Sequence, residues 1–188
     1  MEPAKEKKTI DDLMALPDGT RAELINGEIV MMAPASSIHS KIQAEISFLA
    51  NTFAKNKTGN NQGWIILSEA WTHYGKHNSF VHDVAAYEKS KFNEKAGKGA
   101  IKVRPEWVCE ILSPSNWYKD TQDVRLVLEE VGVPFYWIVD PMKKEILVLK
   151  QEKKGHHYQV IHSISEHQEE LEIPPFYGMK IKPGDIFA

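Results

Sequence analysis

The stretch from residue 107 to residue 139 constrains the fold more than any other part of the chain. It opens with a short apolar run, Trp107-Val108-Cys109-Glu110-Ile111-Leu112, closed by Ser113-Pro114-Ser115. A helical pattern follows from about Asp120 to Val131. In it Val124, Val127, Leu128 and Val131 recur at the i, i+3, i+4, i+7 spacing of one buried face. Gly132 stands at the expected C′ position, where the backbone turns left-handed. A fully apolar run, Phe135-Tyr136-Trp137-Ile138-Val139, then ends at Asp140-Pro141. Strand, helix and strand in this order predict a parallel pair joined by a crossover.

The remaining pattern adds strands on both sides of that unit. Thr9-Ile10-Asp11-Asp12 has capping-box spacing and opens a short helix through Leu16, broken by Pro17-Asp18-Gly19. Asn26-Gly27, between Glu23-Leu24-Ile25 and Glu28-Ile29-Val30, is a tight-hairpin signal. Ile42, Ile46, Leu49, Ala50 and Phe53 trace an amphipathic helix of about four turns with a serine cap before it. Strand patterns are expected at residues 64–67, 80–86, 145–150 and 158–161, with Gly155 in a turn, and shorter ones at 171–173 and 179–181. The expected class is α/β or α+β: a mixed β-sheet flanked by helices, with an N-terminal hairpin and extra C-terminal strands.

Length fits one domain, expected over residues 9–188 after a disordered lead at 1–8. The lead carries lysines but no apolar segment, and no run approaches the roughly 20 apolar residues of a membrane-spanning helix. A cytoplasmic protein without membrane partners is the expectation. The single cysteine, Cys109, excludes an internal disulfide and any multi-cysteine metal cluster, and reads as a buried, inert thiol.

A net charge of −3 argues against a globally basic nucleic-acid coat. Charge is uneven, however. Between residues 89 and 104 stand Lys89, Lys91, Lys95, Lys98, Lys102 and Arg104 against Glu94 alone. With Gly97 and Gly99 this reads as a mobile loop, either simply solvated or an arm that meets phosphates.

Two acids interrupt apolar strands: Asp83 in Phe80-Val81-His82-Asp83-Val84-Ala85-Ala86, and Glu110 in the run at 107–112. A lone buried carboxylate costs several kcal/mol, so such acids have a partner, a cleft or a metal, unless an edge strand turns them to water. Two carboxylates on neighbouring strands are how a hard divalent cation such as Mg²⁺ is held. His73, His77 and His82 could suggest a metal cluster, but without a cysteine pattern they read as surface or loop residues, and His156-His157 as exposed. His39 falls in the first turn of its helix, where the helix dipole disfavours a protonated imidazole. Neither a glycine-rich phosphate loop nor a nucleophile elbow is present.

Glu23-Leu24-Ile25-Asn26-Gly27-Glu28-Ile29-Val30 followed by Pro34-Ala35-Ser36-Ser37-Ile38-His39 resembles the opening of the putative restriction endonuclease family of bacterial proteins, a branch of the PD-(D/E)XK nuclease superfamily. Glu110-Ile111-Leu112-Ser113-Pro114-Ser115 resembles its central motif, and residues 132–141 its most recognisable segment. The ordered match runs from about residue 9 to the C-terminus. It implies a restriction-endonuclease-like core in which Asp83 and Glu110 ligate Mg²⁺ or Mn²⁺, Glu23 is a further acid, and His39 belongs to the site architecture. DNA is the implied transient partner, with room for a homodimer.

Two positions depart from that pattern. His82 replaces the usual proline before the aspartate, at a position that is no ligand. Val124 stands where relatives carry a lysine, leaving Lys119 and Arg125 as the candidate cations. Three expectations stay open: a metal-dependent DNA endonuclease weakened by that loss, a non-catalytic nucleic-acid- or protein-binding relative, or a structural homologue with solvated acids.

Overall fold

The computed structural model describes residues 6–55, 63–92, 99–113 and 119–188. A complete capping box on Thr9 and Asp12 starts helix α1 (Ile10–Met14). Strands β1 (Ala22–Ile25) and β2 (Glu28–Met31) meet at Asn26 and Gly27, whose φ angles of 51° and 85° are those a two-residue hairpin turn demands. Helix α2 (Ser37–Lys55) buries Ile42, Ile46, Ala50 and Phe53, and Ser36 Oγ accepts the His39 amide at its start. Strands β3 (Trp64–Tyr74) and β4 (Asn78–Glu88) form a long hairpin.

Strand β5 (Trp107–Ile111) precedes a π-helical turn over Lys119–Val124 that runs into helix α3 (Arg125–Val131). Gly132 ends the helix with φ 84°. Strands β6 (Phe135–Asp140), β7 (Glu145–Lys150) and β8 (Gln159–Ser165) complete the main sheet. Strands β9 (Leu171–Glu172) and β10 (Lys180–Ile181) form a separate pair, and helix α4 (Pro183–Phe187), which the sequence pattern did not predict, ends the chain.

The main sheet has the order β2-β1-β4-β5-β6-β7-β8, with β3 beside β4. The β5–β6 pair is parallel, as the crossover pattern predicts, and the other strand pairs are antiparallel. One face packs on α2 and α4 through an aromatic cluster in which Phe176 meets Phe53, Trp107 and Trp137 edge-on. The other face packs on α3 through Val124, Val127, Leu128, Tyr136 and Tyr158. The result is a mixed sheet flanked by helices.

Strand β4 organises everything that follows. Its pairing with β3 runs the length of one edge, from Trp64↔Glu88 to Tyr74↔Asn78. The other edge is divided. Strand β1 meets it at Leu24↔Ser79, and β5 at Val84↔Cys109 through Ala86↔Trp107. Between them the edge forks, and residues 80–83 have no strand partner there. At the same level the β3–β4 ribbon exchanges its faces. Val84 and Ala86 belong to the α2 layer, whereas Phe80 joins the α3 layer and His82 packs on its ring and on Tyr74. In β3, Ile66 lies with the α2 layer but Ala70 and Tyr74 with the α3 layer. Glu69, at φ 50°, absorbs the change.

Several expectations change here. Residues 1–5 lie outside the described residues, but Lys8 is no free lead. Its amide donates to the Gly27 carbonyl at 2.9 Å and its carbonyl accepts from His77 Nδ1 at 2.7 Å. A Cβ on Gly27 would stand 2.6 Å from the Lys7 side chain. The strand expected at 64–67 continues to Tyr74, because the exchange of faces hides the alternation. The basic loop is docked at its described ends: Ile101 bridges Thr72, Val103 packs on the α3 layer, and Lys91 pairs with Glu88. Lys95 and Lys98 lie outside the described residues. Among these residues no helix is long and apolar enough to cross a membrane.

Candidate functional site

The fork leaves main-chain N–H groups of β4 without strand acceptors, and buried amides need partners. Carboxylates take them. Val81 N–H donates to Glu23 Oε1 at 2.9 Å, and Asp83 N–H donates to Glu110 Oε2 at 3.2 Å. Asp83 returns the contact, its Oδ2 accepting the Ile111 amide of β5 at 2.7 Å. Glu23 from β1, Asp83 from β4 and Glu110 from β5 therefore meet where the three strands part. They line one cleft of about 140 Å³, together with His39, Glu69 and Lys119.

Each of the two central acids has a histidine behind it. His39 Nε2 lies 3.0 Å from Asp83 Oδ2, and this contact raises the His39 pKa above its ordinary value. The helix-dipole expectation is corrected: the neighbouring carboxylate outweighs the dipole. His82 Nδ1 lies 2.5 Å from Glu110 Oε1, and its Nε2 lies 2.8 Å from the Tyr74 hydroxyl. It is fully buried, not a surface or loop residue, and desolvation holds its pKa down to about 4. Burial first, and then the charge of Asp83, push the Glu110 carboxyl well above the usual carboxylate range.

Lys119, at the start of the π-helical turn, places Nζ 2.8 Å from Glu23 Oε2 and lines the cleft. Val124 is buried in the α3 layer, as its helical spacing predicts. Arg125 leaves the candidate set: its Nε faces Glu129 Oε1 at 3.8 Å, away from the cleft. Lys89, Lys91 and Lys102 do not line the cleft either. Glu88, the last residue of β4, is five residues from Asp83, about 17 Å along an extended strand. His73 is bonded to Ser79 and His157 to Glu129. Cys109 is fully buried, with its thiol pushed up by desolvation.

The sequence reading passed over Glu69, Arg21 and Gln43. Arg21 pairs with Glu69 at 3.1 Å, and Gln43 donates both to Glu69 Oε1 and to the Asp83 carbonyl. Glu69 was visible as a lone acid in an apolar run, the same signal that marked Asp83 and Glu110.

Asp83 and Glu110 supply the oxygen donors that a hard divalent cation takes. Asp83 Oδ1 has no hydrogen-bond partner among the described residues. The Glu110 carboxylate, destabilised beside Asp83, would be relieved by positive charge. Among the described residues no group of three or more His, Cys, Asp or Glu side chains is placed to hold a metal ion, so Asp83 and Glu110 stand as a pair. A cation here would complete its shell with oxygens from outside the protein.

The large mixed sheet flanked by helices matches a nuclease-like fold. The chain matches the family model described as Uma2, putative restriction endonuclease, over residues 10–183, and it belongs to that family. Among solved structures it is similar to a putative nuclease belonging to DUF820 from Anabaena variabilis. That likeness has a TM-score of 0.73 at 23% identity and covers 95% of this chain and 97% of the other, which shows the fold. No curated protein matches the sequence.

Proposed function

We propose that the chain is a divalent-metal-dependent endonuclease that hydrolyses phosphodiester bonds in DNA. One observation carries this reading: Asp83, Glu110 and Lys119 share a single cleft, so two oxygen ligands and a cation face the same space. Lys119 also answers the missing lysine at Val124, because it reaches the site from the turn before the helix. That favours an active enzyme over a non-catalytic relative.

Asp83 and Glu110 would hold Mg²⁺ or Mn²⁺, which supplies a water of lowered pKa and polarises the scissile phosphate. Glu23 is tied to Val81 N–H by one oxygen and orients Lys119 with the other. The Lys119 ammonium then bears on the negative charge that develops on the phosphate oxygens.

Supercoiled plasmid tests this. With Mg²⁺ or Mn²⁺ the protein should nick it, and chelation should stop the reaction. Asp83→Asn should abolish nicking without unfolding the chain. Metal-independent nicking, or nicking that survives Asp83→Asn, would overturn the reading.

A further inference from the structure

We propose that His39 and His82 are a matched pair of positioning residues, one behind each carboxylate, which set the oxygen that Asp83 and Glu110 turn toward the bound cation. The inference rests on the metal-dependent reading above. It concerns residues that contact the ligands without being ligands themselves.

The two contacts divide the carboxylate oxygens. At Asp83, His39 Nε2 and the Ile111 amide both bind Oδ2, which leaves Oδ1 as the outward atom. At Glu110, His82 Nδ1 binds Oε1 and draws it into the protein, while the Asp83 amide touches Oε2. With Glu110 ionised, His82 Nδ1–H donates to it, and the Tyr74 hydroxyl donates to Nε2. Tyr74 thereby fixes the tautomer. The rings of Tyr74 and Phe80, with centroids 5.8 and 5.9 Å from that of His82, prevent the imidazole from turning away.

His39 is held differently. Its Nδ1 is buried and makes no hydrogen bond among the described residues, so within them the Asp83 contact is the one polar contact of its ring. An unpaired buried polar atom is destabilising. A histidine kept under that penalty, with its other nitrogen on a carboxylate, is placed for the carboxylate. Outer contacts of this kind typically contribute 10- to 100-fold to metal affinity.

Because the two histidines use opposite nitrogens, substitution separates position from bulk. The amide nitrogen of asparagine reproduces Nδ1, and that of glutamine reproduces Nε2. Mn²⁺ is titrated into the full-length protein and free Mn²⁺ is followed by electron paramagnetic resonance. His82→Gln should weaken Mn²⁺ binding about tenfold or more, with His82→Asn losing far less. At position 39 the order should reverse, with His39→Asn the weak binder and His39→Gln the rescued one. His39 stands at the cleft wall, so this second pair decides the matter even if His82 variants fold poorly. Equal losses for Asn and Gln at both positions, or no loss at all, would overturn the positioning role while leaving the metal site intact. A wild-type protein that binds no Mn²⁺ would overturn the metal reading and this one together.

Discussion

Two buried glutamates, Glu110 and Glu129, look alike in the abstract and behave as opposites. Both side chains are about 5% exposed and both have a histidine within 3 Å. Glu129, on α3, is met by a backbone amide, a histidine and a guanidinium. Its Oε1 accepts the Tyr158 amide at 2.8 Å, its Oε2 faces His157 Nδ1 at 2.9 Å, and the Arg125 guanidinium lies 3.8 Å away. His157 is itself open to solvent. Gly155 and Gln151 bind the Glu129 carbonyl and pin the β7–β8 turn to the helix. Glu110 has instead a histidine sealed in the core and a second carboxylate beside it. The first glutamate is a finished staple. The second is an unbalanced charge, and imbalance at the mouth of a cleft is what a cationic ligand can resolve.

The sharpest way to break this comparison is to neutralise each acid. Glu110→Gln should lower plasmid cleavage on the order of 10³-fold or more, while its midpoint in a thermal melt at pH 8 holds or rises. Glu129→Gln should leave cleavage alone and remove about 1.5–3 kcal/mol of stability in urea titration, the range for a hydrogen bond to a charged group. Loss of both properties in both variants would erase the distinction.

The two candidate cations should separate in the same sense. Lys119→Met should cost on the order of 10²-fold in cleavage rate. Arg125→Ala should leave the rate unchanged and cost at most about 1 kcal/mol, as a partly exposed ion pair does.

A subtler contrast lies in the response to pH. Glu110 has a raised folded-state pKa, so above its unfolded value of 4.5 the native state binds the extra proton and stability falls as pH rises. His39, also raised, contributes stability that is lost as pH climbs through its folded pKa. His82, held near 4, works the other way: between about 4 and 6.5 the unfolded chain binds the proton, and stability rises with pH. The terms oppose one another below pH 6.5, and only the downward ones remain above it. Mg²⁺ should therefore raise the melting temperature more at pH 8 than at pH 5.5, and Glu110→Gln should flatten the pH dependence. Equal shifts at both pH values would remove Glu110 from the cation site.

The smallest effect concerns the lysines remote from the cleft. Lys102→Ala should change the salt dependence of DNA binding by about one unit of slope if Lys102 meets a phosphate, and not at all if it is only solvated. Filter binding across a salt series reads the difference.

Much of this was legible in the residues. The crossover, the hairpin at Asn26-Gly27 and the α2 stripe are local signals, and local signals survive folding. Asp83 and Glu110 stood out because apolar neighbours make an acid conspicuous. Glu69 carried the same signal and was passed over, whereas the burial of His82 and the full length of β3 were not legible, because the ribbon exchanges faces at Glu69 and the period-two pattern breaks there. Arg125 was misplaced for another reason: one step around a helix points a side chain to a different neighbourhood, which only the packing of α3 against the β7–β8 turn decides.

The fork in β4 has a bearing on how such proteins decay. Glu23 and Glu110 receive the amides that the parting strands abandon, so they plug holes in the backbone as well as facing the cleft. A descendant that no longer cuts anything would still need acceptors at those points, and selection for mere folding would keep them. Acids at a fork are thus a poor birth certificate for catalysis when read alone. Lys119 pairs with Glu23 and accepts no amide from the sheet, so it is the feature that selection for folding alone would not hold.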